Sequence, residues 1–209
     1  MNEEPTSGNS DPLFVPLCLN LPDANVILRS SDRVNFRVHK SVLATLSPFF
    51  EDLFSLPQPA DDELIDSLPV VQLSEDAGLL SNLVSLLYRP QRPTKPSSYE
   101  KVFALLAACQ KYDMVSIQQE IRDKVKLGKF PTPVKAQAFS AYAIASSMGL
   151  STEMEHAARL TLGQPMTFES LGEVLQEFKG QALCELVRYR TENSSSNSGS
   201  SKSSRRGRR

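Results

Sequence analysis

The sequence predicts an α+β fold, a small mixed sheet with helical hairpins followed by an all-helical extension, and three observations carry that prediction. Alternation of apolar and polar residues is confined to the early part of the chain, in "NVILR" and "VNFRV", with one further short strand-like run in "VVQL". From "LSEDAGLLSNLVSLLY" onward, apolar residues recur at helical spacing. Finally, "GKFPTPVK" interrupts the helical pattern, and everything beyond it is again helical. Strands first and helices afterwards are the order of an α+β module with an appended helical region.

The composition sets the limits. The chain has 209 residues, 40% hydrophobic and 22% charged, with a formal net charge of -1, enough apolar material for one sizeable core or two small ones. A near-neutral balance supplies no global reason to bind nucleic acid or an anionic membrane. No apolar run reaches the ~20 residues that span a bilayer. "MNEEPTSGNSDP" is acidic and polar, without the basic and apolar regions of a secretory signal. Cys18, Cys109 and Cys184 are odd in number and far apart, so they suggest neither a disulfide framework nor a zinc site. The expected setting is intracellular, cytoplasmic or nuclear.

Residues 1–11 are expected to be a disordered leader and 192–209 a disordered Ser/Arg tail, because neither holds the apolar residues that would offset the entropy of ordering. Between them, "NVILR" and "VNFRV" flank a turn at Ser30-Ser31-Asp32. Val34, Phe36 and Val38 alternate with Asn35, Arg37 and His39, which predicts a hairpin with one buried face. Val42, Leu43 and Leu46 then fit a short helix. Ser47-Pro48 supplies an N-cap with proline at the first helical position, and Phe49, Phe50, Leu53 and Phe54 form the apolar face that follows.

"LPQPADDELIDSLP" is expected to be a proline-bracketed acidic loop leading into the strand "VVQL". Ser74, Glu75 and Asp76 suit a helix start, and Leu80, Leu83, Val84 and Leu87 run to a stop near Tyr88, since "RPQRPTKPSS" cannot continue a helix. Val102, Leu105, Leu106 and Cys109 mark a central helix. Met114, Ile117, Ile121 and Val125 line the next, with Glu120 and Lys124 paired four apart. Beyond residue 128, "AQAFSAYAIASSM" has the small residues of close helix packing and ends at Gly149. Thr152 and Glu155 have capping-box spacing for a helix closed by Gly163 and Pro165. Phe168, Leu171, Leu175 and Phe178 outline another helix, and "QALCELVRYR" the last.

These residues carry a resemblance. "DANVILRSSDRVNFRVHKSVLATLSPFFEDLF" resembles the opening of a BTB/POZ domain, where an aspartate precedes the first strand, His-Lys opens a helix, "VLA" follows, and Ser-x-x-Phe comes next. Asp23, His39, Lys40, Val42, Leu43, Ala44, Ser47 and Phe50 stand in those places. "VVQLSEDAGLLSNLVSLLYRP", a strand and a leucine-rich helix that ends in Tyr88, and "LLAACQKYDMVSIQQEIRDKV", with Tyr112, are similar to the rest of that domain. The resemblance implies a BTB/POZ domain with its N-terminal segment over residues 12–127 and a helical extension over 128–191. "FSLPQP" and "AYAIASSMGL" further resemble fungal, basidiomycete-type members with such an extension.

The chemistry-bearing residues are sparse. His39 lacks a nucleophile or companion ligands nearby in sequence, with His156 far away, and is expected to be a packed, hydrogen-bonded histidine joining strand to helix. An apolar helix would raise the Cys109 thiol's pKa, which argues against a nucleophile. "DDELID" lacks calcium-loop spacing, and nine scattered glycines form no phosphate cradle. The reading is therefore a non-enzyme with no catalytic, cofactor or metal residues and no small-molecule substrate. Its interaction and structural positions are Asp23, His39, Lys40, Leu43, Ser47, Phe50, Phe54, Tyr88 and Tyr112.

The resemblance implies a protein-binding, homodimerising scaffold or adaptor, with Asp23 and Lys40 pairing within or across chains. It also implies service to cullin-RING ubiquitin ligases. Many cullin-binding members carry a hydrophobic-x-Glu motif after the helix matching "PFFEDLF", where this chain has Leu56-Pro57-Gln58. A nuclear regulator acting through "KSSRRGRR" is the alternative; four arginines neutralise only a few phosphates, so nucleic acid is not the expected partner.

Overall fold

Val26, Ile27 and Leu28 are each at most 1% exposed and form the middle of the sheet. The computed structural model describes residues 21, 23–57, 63–88, 95–167, 171 and 180–195. Strand β1 (Val26–Arg29) pairs antiparallel with β2 (Asn35–Val38), Val26 opposite Val38 and Arg29 opposite Asn35. On its other side β1 runs parallel to β4 (Leu68–Gln72), which pairs antiparallel with β3 (Leu64–Ile65), giving the order β2-β1-β4-β3. The one-sided burial expected of the hairpin holds for β2, where Phe36 and Val38 are buried and Asn35 is exposed. It does not hold for β1, an interior strand whose successive residues are buried on both faces.

Two turns close this sheet. In the first, Ser30, fully buried, donates its hydroxyl to the Val34 carbonyl and accepts the Val34 N–H, while Arg33 takes a positive φ of 65°. The second corrects the expectation that the whole proline-bracketed stretch is a loop. Its end is a β3–β4 hairpin whose two-residue turn, Asp66-Ser67, has φ of 49° and 64°. Aspartate tolerates the left-handed region because its short polar side chain bonds locally, and two such residues in succession are what a tight hairpin requires. Of the other acidic residues of that stretch, Glu63 pairs with Arg29 of β1 at 2.7 Å, and Asp61 and Asp62 lie outside the described residues.

The chain divides into two compact units, Met1–Lys95 with Cys109–Ile117, and Pro96–Ala108 with Gln118–Arg209. The first holds the sheet, α1 (Lys40–Leu46), α2 (Pro48–Ser55) and α3 (Ala77–Tyr88). Helix α3 begins where expected: Asp76 Oδ1 accepts the Leu79 N–H at 2.8 Å, and Asp32 Oδ1, from the β1–β2 turn, accepts the Ala77 N–H at 2.9 Å. Helices α4 (Tyr99–Lys111) and α5 (Val115–Lys126) contribute to both units. Their connection is a Schellman closure, with Met114 N–H on the Cys109 carbonyl and Asp113 at φ 51°.

In the second unit, α6 (Ala138–Ser147) packs on α7 (Ser151–Thr161) through small buried residues, among them Ala141, Ala145, Ala157 and Ala158. Gly149, at φ 68°, makes the tight turn between them. Arg122 of α5 forks onto both oxygens of Glu153 on α7, at 3.0 and 3.3 Å. The expected Thr152–Glu155 capping box does not form. Helix α7 starts at Ser151, with buried Leu150 at the N-cap and no side-chain cap. The Leu150 N–H closes the end of α6 on the Ala145 carbonyl, so the turn itself sets the start, and Glu155 pairs with Arg159 instead.

Helix α8 (Gly180–Ser195) reaches into the stretch expected to be tail from residue 192. Thr191 and Asn193 bond the carbonyls four residues back, so an established helix propagates through polar sequence that could not nucleate one. Of the helix expected around Phe168, only Leu171 is described, and it is buried. The leader, Cys18 and residues 196–209 also lie outside the described residues.

Phe50 is fully buried, so Phe50→Ala is expected to lower the unfolding free energy by about 3–5 kcal/mol. Urea denaturation with an unchanged midpoint would contradict this packing.

Candidate functional site

Of the residues singled out by sequence, all but Asp23 and Leu43 gather in two connected groups. The first stands where β2 passes into α1. His39 occupies the N-cap of α1 in extended conformation, and its side chain makes no cap bond. The carboxamide of Asn25 does that work, its Oδ1 accepting the Lys40 N–H at 2.8 Å. His39 is tied to the end of α3: its backbone N–H donates to the Tyr88 hydroxyl at 2.8 Å, and its Nδ1 lies 3.2 Å from the same oxygen. With one N–H received, the hydroxyl has its own proton to give to Nδ1, which suits an imidazole protonated on Nε2. Burial raises the Tyr88 pKa, against the opposing effect of the His39 N–H, so the hydroxyl keeps that proton.

Lys40 extends from this junction with its Nζ 5.4 Å from the centre of the Phe54 ring, a cation–π contact that joins α1 to α2. Within the chain no ion pair joins Lys40 to Asp23, although both residues are described; Asp23 is exposed in the turn before β1. The ammonium finds an aromatic face near its own helix, whereas Asp23 precedes the sheet.

Phe54 stacks on Phe50, with centroids 5.8 Å apart, and leads to the second group. Phe50 also packs against Tyr112 at 5.2 Å, and Phe49 meets both rings. Ser47, buried beside them, does two jobs with one hydroxyl: it accepts the Phe50 N–H at 3.1 Å as the N-cap of α2 and donates to the Tyr112 carbonyl at 2.5 Å. Leu43, on α1, is fully buried.

The Tyr112 hydroxyl donates to one carboxylate oxygen of Glu75, and Lys111 Nζ donates to the other at 2.9 Å. Burial pushes the Tyr112 pKa far up, and the adjacent carboxylate pushes it further, which makes the phenol a fixed donor. Burial alone would raise the Glu75 pKa, but the bonds from Tyr112 and Lys111 outweigh it and hold the carboxyl below its ordinary range.

The sequence pattern does not disclose the roles of Glu75, Asn25 and Asp32. By sequence Glu75 is a helix-start charge, whereas its partners come from α4 and the turn after it, 36 and 37 residues away. No local pattern announces such a pairing. Asn25, immediately before a strand that leads back to its own helix start, carries a weak signal, since asparagine is a preferred capping residue. Together these groups bind strand to helix and helix to helix. Imidazole, hydroxyl and phenol are all held in internal bonds, an arrangement suited to a rigid scaffold.

The sequence profile of the BTB/POZ domain matches residues 20–127, and the chain belongs to that family. Such domains are generally protein–protein interaction modules. Among solved structures the chain is similar to the BTB domain of zebrafish PATZ1, with 21% identity over 50% of this chain and 76% of that one and a TM-score of 0.37. No curated protein matches it.

Two outcomes test the bonding. Tyr88→Phe leaves the His39 N–H without its acceptor and is expected to cost about 1–3 kcal/mol in chemical denaturation. The folded Glu75 carboxyl releases its proton more readily than the unfolded one. The stability it contributes is therefore complete above the ordinary glutamate pKa of 4.5 and is lost as the pH falls below it. Glu75→Gln should destabilise the protein at neutral pH and flatten the loss of stability on acidification. An acid profile identical to that of the wild type would overturn the assignment.

Proposed function

We propose that this chain is a non-enzymatic scaffold that self-associates through its BTB/POZ region, residues 12–127, while the helical stretch 128–191 serves as an extension of the fungal type. The observation that carries this reading is the use made of the polar groups. His39, Ser47 and Tyr112, the side chains with the most chemistry to offer, are bonded to Tyr88, to a backbone carbonyl and to Glu75, where they hold the fold together. That leaves surface recognition as the means of action, with homodimerisation as its first instance.

The apolar segment "LFVPLCLNLP", residues 13–22, is the part of the chain that such an association would use, packed against or exchanged with a second subunit. Asp23, at the end of that segment, and Lys40, with its Nζ on Phe54, are the charged residues we place near this interface, where a cross-chain pair replaces the absent intrachain one. A cullin-RING adaptor is the narrower reading carried by the family. Leu56-Pro57-Gln58 offers no glutamate to it, so the scaffold role is preferred.

Light scattering on the purified chain tests the proposal. A dimer is expected at micromolar concentration, with an interface above ~1,000 Å² that is weakened by deleting residues 1–20. A monomer mass independent of concentration would overturn it. The second reading, a nuclear regulator, is favoured by the arginines at 205, 206, 208 and 209 and expects deletion of residues 202–209 to abolish nuclear localisation of a tagged chain. Among the described residues no helix is long and apolar enough to cross a membrane.

A further inference from the structure

Helices α6, α7 and α8 enclose a cavity of about 300 Å³ whose walls follow a rule. Helix α7 lines it with Ser151, Met154, Glu155 and Ala158, and α8 with Glu185, Arg188, Tyr189 and Glu192. Both sets have the spacing i, i+3, i+4, i+7, so the cavity is a groove between two facing helical stripes. Tyr142 of α6, 4% exposed and anchored by its hydroxyl to the Ala182 carbonyl at 3.2 Å, supplies a buried aromatic wall, and Tyr189 a half-buried one. Glu155 and Glu192 are exposed at the opening, and Glu185 is half-buried. Arg188 is the cation among the lining residues, and Arg159 is engaged by Glu155. Arg159 also bonds Tyr189, so the three lining carboxylates face two arginines and one negative charge is left in surplus, shared by Glu185 and Glu192.

An apolar, tyrosine-bearing slot with carboxylates at its mouth suits a guanidinium group. The methylene stem is buried, the planar cation lies against a ring, and its N–H groups fork onto carboxylate oxygens. The same chain carries such groups. "KSSRRGRR", residues 202–209, begins seven residues after the end of α8, joined by "SNSGSS". Glu192 lies three residues before that end, about 4.5 Å along the helix axis. A Ser/Gly-rich linker of ten residues, from Ser195 to Arg205, has a mean reach of roughly 17 Å, which matches the distance back along the α8 wall. At that match the effective concentration is in the millimolar range, so an arginine held with a Kd of about 1 mM would occupy the slot roughly half of the time.

We propose that the basic segment 202–209 folds back and docks in cis in the α7–α8 groove, an arginine entering between Tyr142 and Tyr189 with its charge on Glu185 and Glu192. The occupied groove would then withhold the arginines from any nuclear-import or phosphate-bearing partner. This inference concerns the second unit and does not depend on the dimer.

The test is amide NMR on the full chain, comparing the wild type with a variant carrying Arg205, Arg206, Arg208 and Arg209→Ser. Signals of 151–158 and 185–192 are expected to shift when the arginines are removed, to shift likewise at high salt, and to be insensitive to tail neutralisation in a Glu185→Gln/Glu192→Gln background. These substitutions lie at the groove's polar edge, and a dispersed spectrum checks that the fold survives. Absence of shifts in the groove, or equal shifts in both backgrounds, would overturn the proposal. Shifts that grow with protein concentration would also overturn it, by assigning the groove to the tail of a second copy.

Discussion

The first unit closes on Glu75. Its carboxylate receives the Tyr112 hydroxyl and the Lys111 ammonium from the end of α4, while its backbone carbonyl accepts the Ser31 N–H from the β1–β2 turn at 2.8 Å. One residue thus ties together the exit from the sheet, the start of α3 and the C-terminal turn of α4. A carboxylate so placed is worth more than a surface ion pair, because it is largely removed from water and its two oxygens have separate partners. Removing either partner would leave a shielded charge short of a bond, which costs more than the bond itself contributes.

The aromatic layer depends on that tie. Tyr112 is held at its hydroxyl by Glu75 and at its carbonyl by Ser47, so its ring has little freedom to move. Phe50 packs on it, Phe54 on Phe50, and Lys40 on Phe54. The same logic operates where His39 and Tyr88 join β2 to α3. Each contact is modest alone, yet each positions the next, and the result is a frame whose polar groups are committed inward. A protein built this way presents shape and surface charge to partners, consistent with the interaction modules to which its family belongs. The second unit uses different means, small side chains for close helix approach and arginine forks for fixing helix ends. Arg122 grips Glu153, and Arg190 donates to the carbonyls of Thr161 and Gln164 where α7 ends.

Legibility in the sequence follows the range of the interaction. The β2 alternation, the Ser47-Pro48 helix start and the Gly149 turn are each complete within a few residues, and the residue order alone announces them. The same is true of the apolar registers of α3 to α5 and of the family itself, which rests on several such local patterns in a set order. The β3–β4 hairpin escapes a reading by pattern because its turn uses Asp66-Ser67 in place of the glycine or asparagine that would mark it. The start of α7 is misleading for a different reason. A capping spacing is present, and the competing constraint, the closure of α6 on Leu150, lies in the turn geometry.

What the sequence by itself determined was therefore the kinds of element, most of their ends and the class of fold, since these follow from periodicity and from the conformational limits of proline and glycine. Only the tertiary structure decided which side chains meet: Glu75 with Tyr112, His39 with Tyr88, Lys40 with Phe54, and the carboxylates of α7 with those of α8 around one groove. Those pairings join residues far apart in the chain. Their partners are selected by the packing of whole elements, and a linear pattern carries no record of the distance that packing brings to a few ångströms.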